Sequence, residues 1–319
     1  MDGRDVGPWL TEQLSQEVVG QQATIEMVLA SIAARGHVIL EGPPGVAKTL
    51  VANELARVLG LRFKRVQMTP DLMPSDLLGT NVWLPAEGRF DFREGPVFTD
   101  VLLADELNRA PPKTQAALLQ AMQERTVTLD GEEYRLGDHF WVVATQNPLE
   151  QEGTYPLPES QLDRFALRLT VSFPGAAEEL EILNRHRDRG DALERSRQRS
   201  VDALGPESLA EFRTAAGAVH VSRTVLEYIH AVVRITREQR ELSHGAGPRA
   251  ALSLLDAGRG LALLRGRDFV VPDDIRDLFH PCVAHRVRLA PEAVVTGATV
   301  EQVLERILRG VPVPEGRSE

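Results

Sequence analysis

The chain has 319 residues, which is enough to bury a large core and suggests two domains. Its composition, 43% apolar and 26% charged, is typical of a globular protein, and no apolar run approaches the roughly 18 residues of a membrane-spanning helix. The net charge of −10 argues against a nucleic-acid backbone as the main partner, because proteins that bind one usually carry a basic face.

The N-terminal segment and the cysteine content favour a cytoplasmic protein. Residues 1–13 contain acidic side chains and lack the apolar stretch of a secretory signal. The single cysteine, Cys282, excludes an intrachain disulfide and a metal site with several cysteine ligands. We therefore expect the protein in the cytoplasm.

Five apolar or β-rich segments predict the strands of one sheet. Residues 1–35 are predicted to be helical with a break at VVGQQ (18–22), and strands are then predicted at 37–41, 61–68, 101–106, 140–147 and 166–173. Helical patterns, such as TLVANELARVLG and KTQAALLQAMQER, separate most of these segments. Apolar strands that alternate with helices are typical of a parallel sheet with helices on both faces.

Two insertions interrupt the alternation of strands and helices. Residues 79–98 alternate apolar and polar side chains around a Pro/Gly turn, and residues 126–138 carry Asp130-Gly131 between two alternating runs. Both patterns predict a β-hairpin, and Asp-Gly is a strong signal for one.

The second half of the chain is predicted to be helical. Helical patterns cover residues 176–188, 206–219, 222–241, 248–265 and 296–309, and a further helix has Pro272 at its first position. We place the domain boundary near residue 174, which gives an α/β domain over 1–174 and an all-helical domain over 175–319. The charged stretch at 185–200 is interpreted as a solvated helix end and linker rather than a nucleic-acid patch.

The segment GPPGVAKTL has the features of a phosphate-binding loop. Such a loop needs glycines where side chains would clash, a lysine for the β- and γ-phosphates, a hydroxyl for Mg²⁺ and a helix that begins at the anion. The usual pattern has a glycine before the lysine, where this chain has Ala47. The alternative is a strand–turn–helix with an incidental Lys-Thr pair. The candidate nucleotide-binding residues are Gly42, Pro43, Pro44, Gly45, Val46, Ala47, Lys48, Thr49 and Leu50.

Polar side chains also follow two of the other predicted strands. Asp105 and Glu106 end the apolar run VLLADE, and Asn147 follows FWVVATQ. Paired carboxylates at the end of a buried strand suit a Mg²⁺ ligand and an acid that polarises the attacking water. An amide at Asn147 could bind the water and the γ-phosphate. The alternatives are a strand that simply ends at solvent and an Asn-Pro turn.

With these elements in order, the chain resembles the MoxR family, in the helix-2-insert group of the AAA+ ATPases. The resemblance rests on VVGQQ, GPPGVAKT, LLADELNRAPPKTQAALLQAMQERTVT, VVATQNPLEQEGTYPLPESQLDRF and GAGPRA. It spans roughly residues 18–250, and the tail VPDDIRDLFHPCVAHRV is also similar. Alanine before the lysine is common in this family. The implied fold is α/β, a P-loop core with a parallel five-stranded sheet and a C-terminal helical lid.

The resemblance implies a role for each matching residue. Lys48 and Thr49 match the Walker A pair, with Thr49 and Asp105 as metal ligands. Glu106 and Asn147 match the catalytic acid and sensor 1, and Arg164 matches the arginine finger that reaches a neighbouring subunit. The remaining matches are to residues that contact the nucleotide. Val19 and Gly20 match the segment that packs on adenine, and Arg249 matches sensor 2 on the lid.

The arginines each have a simpler alternative. Arg164 could form a surface ion pair with Asp163 or Glu159, and Arg249 could be an ordinary arginine at a helix start. Arg109 could contact the nucleotide, contact an adjacent subunit or pair with an acidic side chain, and the sequence does not decide between these.

The favoured function is ATP hydrolysis by a ring of identical subunits that remodels client proteins. Family resemblance implies ATP and Mg²⁺ as cofactors, a homo-oligomeric ring, expected to be hexameric, and a partner with a von Willebrand factor A domain. One alternative is a nucleic-acid motor or loader of the helix-2-insert group, which the acidic balance disfavours. Another is a nucleotide-gated scaffold with negligible turnover, which the intact Glu106 and Arg164 argue against.

Overall fold

A computed structural model describes residues 2–148, 153–189 and 203–314. The strands are β1 (His37–Glu41), β2 (Phe63–Gln67), β3 (Gly79–Leu84), β4 (Arg89–Glu94), β5 (Val101–Asp105), β6 (Thr126–Leu129), β7 (Glu132–Arg135), β8 (Trp141–Gln146), β9 (Phe165–Thr170), β10 (Leu242–His244) and β11 (Arg288–Leu289). The α-helices before residue 170 are α1 (Gly3–Glu17), α2 (Gln22–Ala33), α3 (Lys48–Val58), α4 (Pro74–Leu78), α5 (Pro112–Glu124) and α6 (Glu159–Leu162). Those after it are α7 (Ala176–Arg189), α8 (Pro206–Ala218), α9 (Arg223–Ile235), α10 (Pro248–Leu264), α11 (Pro272–Val283), α12 (Pro291–Val295) and α13 (Val300–Gly310).

The main sheet has five strands in the order β2-β5-β8-β1-β9, and all of its pairings are parallel. The predicted α/β fold with a five-stranded parallel sheet is therefore confirmed. Every residue of β1 and β5 is buried, as expected for apolar strands at the centre of such a sheet. Because all five strands run the same way, their carboxyl ends meet at one edge, where open α/β sheets commonly bind ligands.

The sheet is covered on both faces because alternate strand residues point to opposite sides. Val38 and Leu40 belong to one apolar cluster with α1, α2, α3 and the C-terminal helices. Ile39, between them, belongs to a second cluster, which includes Leu118 and Met122 of α5. The larger of the two clusters runs without a break from the sheet into the helical part of the chain.

Both predicted hairpins are present. Strand β3 pairs with β4, and β6 pairs with β7, each in antiparallel register. At the tip of the second hairpin Asp130 and Gly131 both have positive φ, which is the backbone that an Asp-Gly turn of type I′ requires. In the first hairpin Trp83 and Phe90 are exposed and contact each other edge to face, with ring centroids 5.0 Å apart.

The described C-terminal part is helical, as predicted, except for one short ladder. Strand β10 pairs with β11 in antiparallel register, with Leu242 opposite Leu289. Pro272 is the first residue of α11, as the sequence indicates. The predicted linker at 185–200 lies mostly outside the described residues. The boundary near residue 174 falls between the end of β9 and the start of α7 and stays a prediction.

The N-terminal helices pack against the C-terminal helices, a contact that the sequence patterns did not predict. Helix α1 lies on α8, and α2 lies on α10. Gly260 of α10 faces α2 so closely that an added Cβ would lie 2.9 Å from the carbonyl oxygen of Ala30. No helix within the described ranges is long and apolar enough to span a bilayer.

Candidate active site

The loop after β1 has a backbone that few side chains permit. Gly45 has φ +85°, and Ala47, the residue before α3, has φ +63°. This left-handed region costs an L-residue roughly 1–2 kcal/mol, so the alanine is held there by the surrounding fold. A Cβ at Gly42 would lie 2.2 Å from the carbonyl oxygen of Val171, which leaves room only for glycine. Helix α3 begins directly after the loop, so its N-terminus faces the same space.

The lysine and the hydroxyl of the loop lie at that helix start. The ammonium of Lys48 donates hydrogen bonds to the carbonyl oxygens of Gly42 and Pro43. Thr49 follows it and faces the cleft described below. Val46 instead turns inward, with 2% of its surface exposed, and packs in the core. The loop therefore presents its charged and hydroxyl groups outward and anchors itself by an apolar side chain.

The two acids stand at the carboxyl end of β5 and are oriented by a threonine on β8. The hydroxyl of Thr145 donates to Asp105 Oδ1 at 2.6 Å and accepts from the backbone N–H of Glu106 at 2.9 Å. Glu106 itself has φ +58°, an uncommon conformation for a residue with a side chain. Thr145 therefore positions both acids relative to the strand end.

Each acid also receives a guanidinium. Arg65 of β2 donates to Asp105 Oδ2 through Nε at 3.0 Å and through Nη2 at 2.5 Å. Glu106 Oε2 accepts from Arg109 Nη1 at 2.9 Å and from the side-chain amide of Gln67 at 2.7 Å. Of the three possibilities for Arg109, the structure shows the pairing with an acidic side chain.

These groups surround one cleft of about 460 Å³. Its described lining is Pro44, Gly45, Ala47, Lys48, Thr49, Leu50, Arg65, Gln67, Asp105, Glu106, Thr145, Gln146 and Asn147. The hydroxyl of Thr49 and the carboxylate of Asp105 are oxygen donors of the kind that Mg²⁺ prefers, and Lys48 supplies a cation for phosphate. The residues present therefore fit a magnesium-bound nucleotide.

The predicted adenine residues lie just outside this lining. Gly20 has φ +74°, and a Cβ there would lie 2.8 Å from Pro174. The side chain of Gln21 donates to the carbonyl oxygen of Ser172 at 3.0 Å. Val171, the neighbour of Ser172, packs against Gly42 at the start of the loop. The segment after β9 therefore holds Val19 and Gly20 near the loop.

Neither Arg164 nor Arg249 belongs to the described lining of the cleft. Arg249 Nη1 donates to Asp163 Oδ2 at 2.7 Å, and the other oxygen of Asp163 accepts from Arg286 Nε at 2.9 Å. Arg164 forms no ion pair within the described ranges. The pairing with Asp163 or Glu159 that its simpler alternative requires is therefore not observed, since Asp163 is taken by two other arginines. Arg249 contacts Asp163 in this structure, and its expected contact with the nucleotide stays a prediction.

Buried histidine and arginine support the strand that follows Arg164. Arg286 has a side chain only 3% exposed and donates to the carbonyl oxygen of Phe165 at 2.8 Å. Burial lowers the pKa of Arg286, and the carboxylate of Asp163 acts in the opposite direction. Burial and the charge of Arg286 lower the pKa of His285 to about 3, so this ring is neutral at pH 7.

The family of the chain follows from its similarity to known proteins. A model of the ATPase family associated with various cellular activities matches residues 37–167, and an AAA lid domain matches residues 234–307. The chain is 40% identical to Chaperone MoxR1 of Mycobacterium tuberculosis over 312 residues, covering 95% of this chain and 81% of that protein. The chain belongs to the MoxR family of AAA+ ATPases.

Two further comparisons extend over almost the whole MoxR-type chain. The uncharacterized protein YeaC of Bacillus subtilis is 40% identical over 311 residues, covering 96% of this chain and 94% of that protein. A crystal structure from Cytophaga hutchinsonii superposes with a TM-score of 0.88 at 37% identity, covering 98% and 96% of the two chains. The fold and the family therefore hold for the core and the lid together.

Besides Gln146, three cleft residues of this MoxR-family chain were not foreseen from its sequence: Arg65, Gln67 and Thr145. The signal available was weak, namely polar residues inside segments otherwise read as strands. Their significance depends on strand order, because β2 and β8 both flank β5 and so bring these side chains to its two acids.

Proposed function

We propose that this chain is a Mg²⁺-dependent ATPase that works as a ring of identical subunits and remodels client proteins. The observation that carries the proposal is the convergence of Lys48, Thr49, Asp105, Glu106 and Asn147 on one cleft at the carboxyl edge of the sheet. These are the residue types that nucleotide hydrolysis uses, and they come from three different strands.

Each cleft residue has a proposed task. The backbone of residues 42–50 and Lys48 bind the phosphates, and Thr49 and Asp105 hold the metal. Mg²⁺, when bound, neutralises charge on the phosphate oxygens. Glu106 polarises the attacking water and Asn147 orients it. For this the carboxylate of Glu106 must loosen its contacts with Arg109 and Gln67, which both use the same oxygen.

The positions of the arginines support the proposed ring. Arg164 is only partly exposed, forms no ion pair among the described residues, and lies away from the described lining of its own cleft. A guanidinium that completes a phosphate site is worth roughly 10³ to 10⁵ in rate. Arg65 in the cleft lining is bound to Asp105, which leaves this task to an arginine from elsewhere. We propose that Arg164 acts on the nucleotide of the adjacent subunit. Arg249 binds Asp163, the residue before Arg164, so we assign Arg249 to the same subunit edge.

The client role is a finer proposal. One relative is named a chaperone, which supports a remodelling function here. The exposed pair Trp83 and Phe90 on the first hairpin gives an apolar contact surface of the kind that binding a protein client uses. Family resemblance alone supports the partner with a von Willebrand factor A domain and a six-membered ring, whereas action in the cytoplasm is supported by the single cysteine.

A trapping experiment tests the function. Glu106→Gln should bind ATP with Mg²⁺, release almost no phosphate and retain ring and client in a pull-down, while Lys48→Ala should retain neither. Wild type should release phosphate in a steady-state assay, and this activity should not rise with single-stranded DNA. No phosphate release by wild type under any ring-forming condition would refute the ATPase proposal, and strong DNA stimulation would favour the nucleic-acid motor.

A further inference from the structure

We propose that Arg65 is an exchangeable cation that competes with Mg²⁺ for the carboxylate of Asp105, and so sets how much Mg²⁺ the site requires. This inference rests on the proposed function, because it concerns the same metal ligand. It assigns to β2 a residue that acts through Asp105 rather than on the substrate.

Both oxygens of Asp105 are already in use. Oδ1 accepts from the hydroxyl of Thr145 at 2.6 Å, and Oδ2 accepts from two nitrogens of Arg65 at 3.0 and 2.5 Å. Asp105 is buried, with 8% of its surface exposed, so its charge needs a nearby cation. Arg65 supplies that cation from the same side as the cleft, since Arg65 is part of the cleft lining.

Two N–H donors of Arg65 occupy both lone-pair positions of Asp105 Oδ2. A metal ion at this oxygen would be repelled by the guanidinium, and both need the same lone pairs. Binding of Mg²⁺ through Asp105 Oδ2 therefore has to displace Arg65. The free energy of the Arg65–Asp105 ion pair is then subtracted from the free energy of metal binding.

Arg65 can leave without disturbing the core. It lies on β2, the edge strand of the sheet, and its side chain is 49% exposed. Among the described residues, its other hydrogen bond is from Nη2 to Gln67 Oε1 at 3.2 Å. A long side chain at an edge strand, held by an ion pair and one weak contact, can turn outward by rotamer changes alone.

The chain contains a matched ion pair that lacks a link to the cleft. Arg62 donates to Asp100 Oδ2 at 3.0 Å through Nε, just before β2 and β5 begin. Its side chain is 66% exposed, and the Asp100 carboxylate is 12% exposed, the same value as for Asp105. The two pairs therefore join the same strands at opposite ends, and only one involves a proposed metal ligand.

The experiment titrates Mg²⁺ while a fluorescent, non-hydrolysable ATP analogue reports binding. Arg65→Ala should lower the Mg²⁺ concentration at half-maximal binding by about three- to fivefold, the range of a partly exposed ion pair. Arg65→Lys keeps the charge, and its Mg²⁺ midpoint should lie between those of wild type and Arg65→Ala. The midpoint of Arg62→Ala should match that of wild type. An unchanged or higher Mg²⁺ midpoint in a folded Arg65→Ala protein overturns the proposal.

Two further arms separate this role from others. In an Asp105→Asn background, Arg65→Ala should no longer shift the Mg²⁺ midpoint, because the shared carboxylate is gone. In the presence of a metal chelator, Arg65→Ala should bind the analogue as wild type does, and a large loss would assign Arg65 to the phosphates instead. If wild type binds no analogue at any Mg²⁺ concentration, the proposed function itself fails. If wild type binds and only the shift is missing, this inference alone fails.

Discussion

Asp163 Oδ1 accepts a hydrogen bond from Arg286 Nε at 2.9 Å, which ties the residue before Arg164 to the helical lid of the same chain. Arg286 also donates to the carbonyl oxygens of Cys282 and Phe165, so it links the lid to the start of β9. The other oxygen of Asp163 binds Arg249, which also belongs to the lid. A movement of the lid therefore moves the segment that carries the proposed arginine finger.

The two arginines on Asp163 should contribute very differently to stability. Arg286→Met should lower the free energy of unfolding by about 2–3 kcal/mol, because the buried carbonyl oxygens of Cys282 and Phe165 lose a charged donor. Arg249→Met should cost no more than about 1 kcal/mol, since its side chain is half exposed. Urea denaturation at pH 7 measures both. Equal losses would mean that Arg286 does not anchor this segment.

The trans role of Arg164 predicts complementation between two inactive proteins. Glu106→Gln and Arg164→Ala should each lose ATPase activity by about 10³-fold or more. Mixed, they should regain a measurable fraction, because an intact Glu106 can then meet an intact Arg164 from the neighbour. Arg288→Ala, at an exposed position near Glu159, is the control and should behave as wild type. Normal hydrolysis by Arg164→Ala alone would contradict the assignment.

Gly42 should tolerate no side chain. In Gly42→Ala the new Cβ would lie 2.2 Å from the backbone oxygen of Val171, so either the loop or the segment that follows β9 must shift. We expect loss of nucleotide binding and a lower melting temperature. Gly217→Ala is the matched control, because a Cβ at Gly217, in α8, meets nothing within 4 Å and the backbone there is not in the left-handed region. Binding of the fluorescent ATP analogue and a thermal melt check both variants, and unchanged binding by Gly42→Ala would contradict the proposal.

The hydroxyl of Thr145 should matter more to turnover than to stability. Thr145→Val keeps the shape of the side chain but removes the bonds to Asp105 and to the N–H of Glu106. We expect a loss of about 1–2 kcal/mol in unfolding free energy for the unsatisfied groups. Turnover should fall by about tenfold or more, because misplaced catalytic groups are costly. Thr145→Ser restores the hydroxyl and should recover most of the rate. A valine variant with normal turnover would show that the threonine has no positioning role.

The sequence predicted the sheet well because β1, β5, β8 and β9 are mostly buried and therefore appear as apolar runs, whereas β2, at an edge, is largely exposed. It also indicated the loop, since Gly42, Lys48 and Thr49 keep their spacing around Ala47. The contacts of Arg65 and Thr145 with Asp105 were not predicted, because they depend on strand order. Strands β2 and β8 flank β5, which brings both side chains to Asp105. The contact of Arg249 with Asp163 was not predicted for a similar reason, since it depends on how the lid packs.

His37 makes the core sensitive to acid. Its Nδ1 accepts from the N–H of Val142 at 3.0 Å, and its Nε2 lies 3.2 Å from the carbonyl oxygen of Met122. This pattern requires the neutral ring with the proton on Nε2, and a second proton would break the bond to Val142. Burial, together with the charges of Arg125 and Arg213, lowers the pKa of His37 to about 4, while the bond to Met122 acts in the opposite direction.

Because the folded pKa lies below the unfolded value of 6.5, the unfolded chain takes up the proton first as the pH falls. The stabilisation is therefore complete above about pH 6.5 and is lost as the pH falls from 6.5 towards 4. From pH 7.5 to pH 5 this loss should amount to about 2 kcal/mol of unfolding free energy. In His37→Gln the pH dependence over this range should be smaller by that amount, whereas exposed His244→Gln should match wild type. Urea titrations at the two pH values measure the difference, and an equal slope for His37→Gln and wild type would mean that this ring is not the acid-sensitive group.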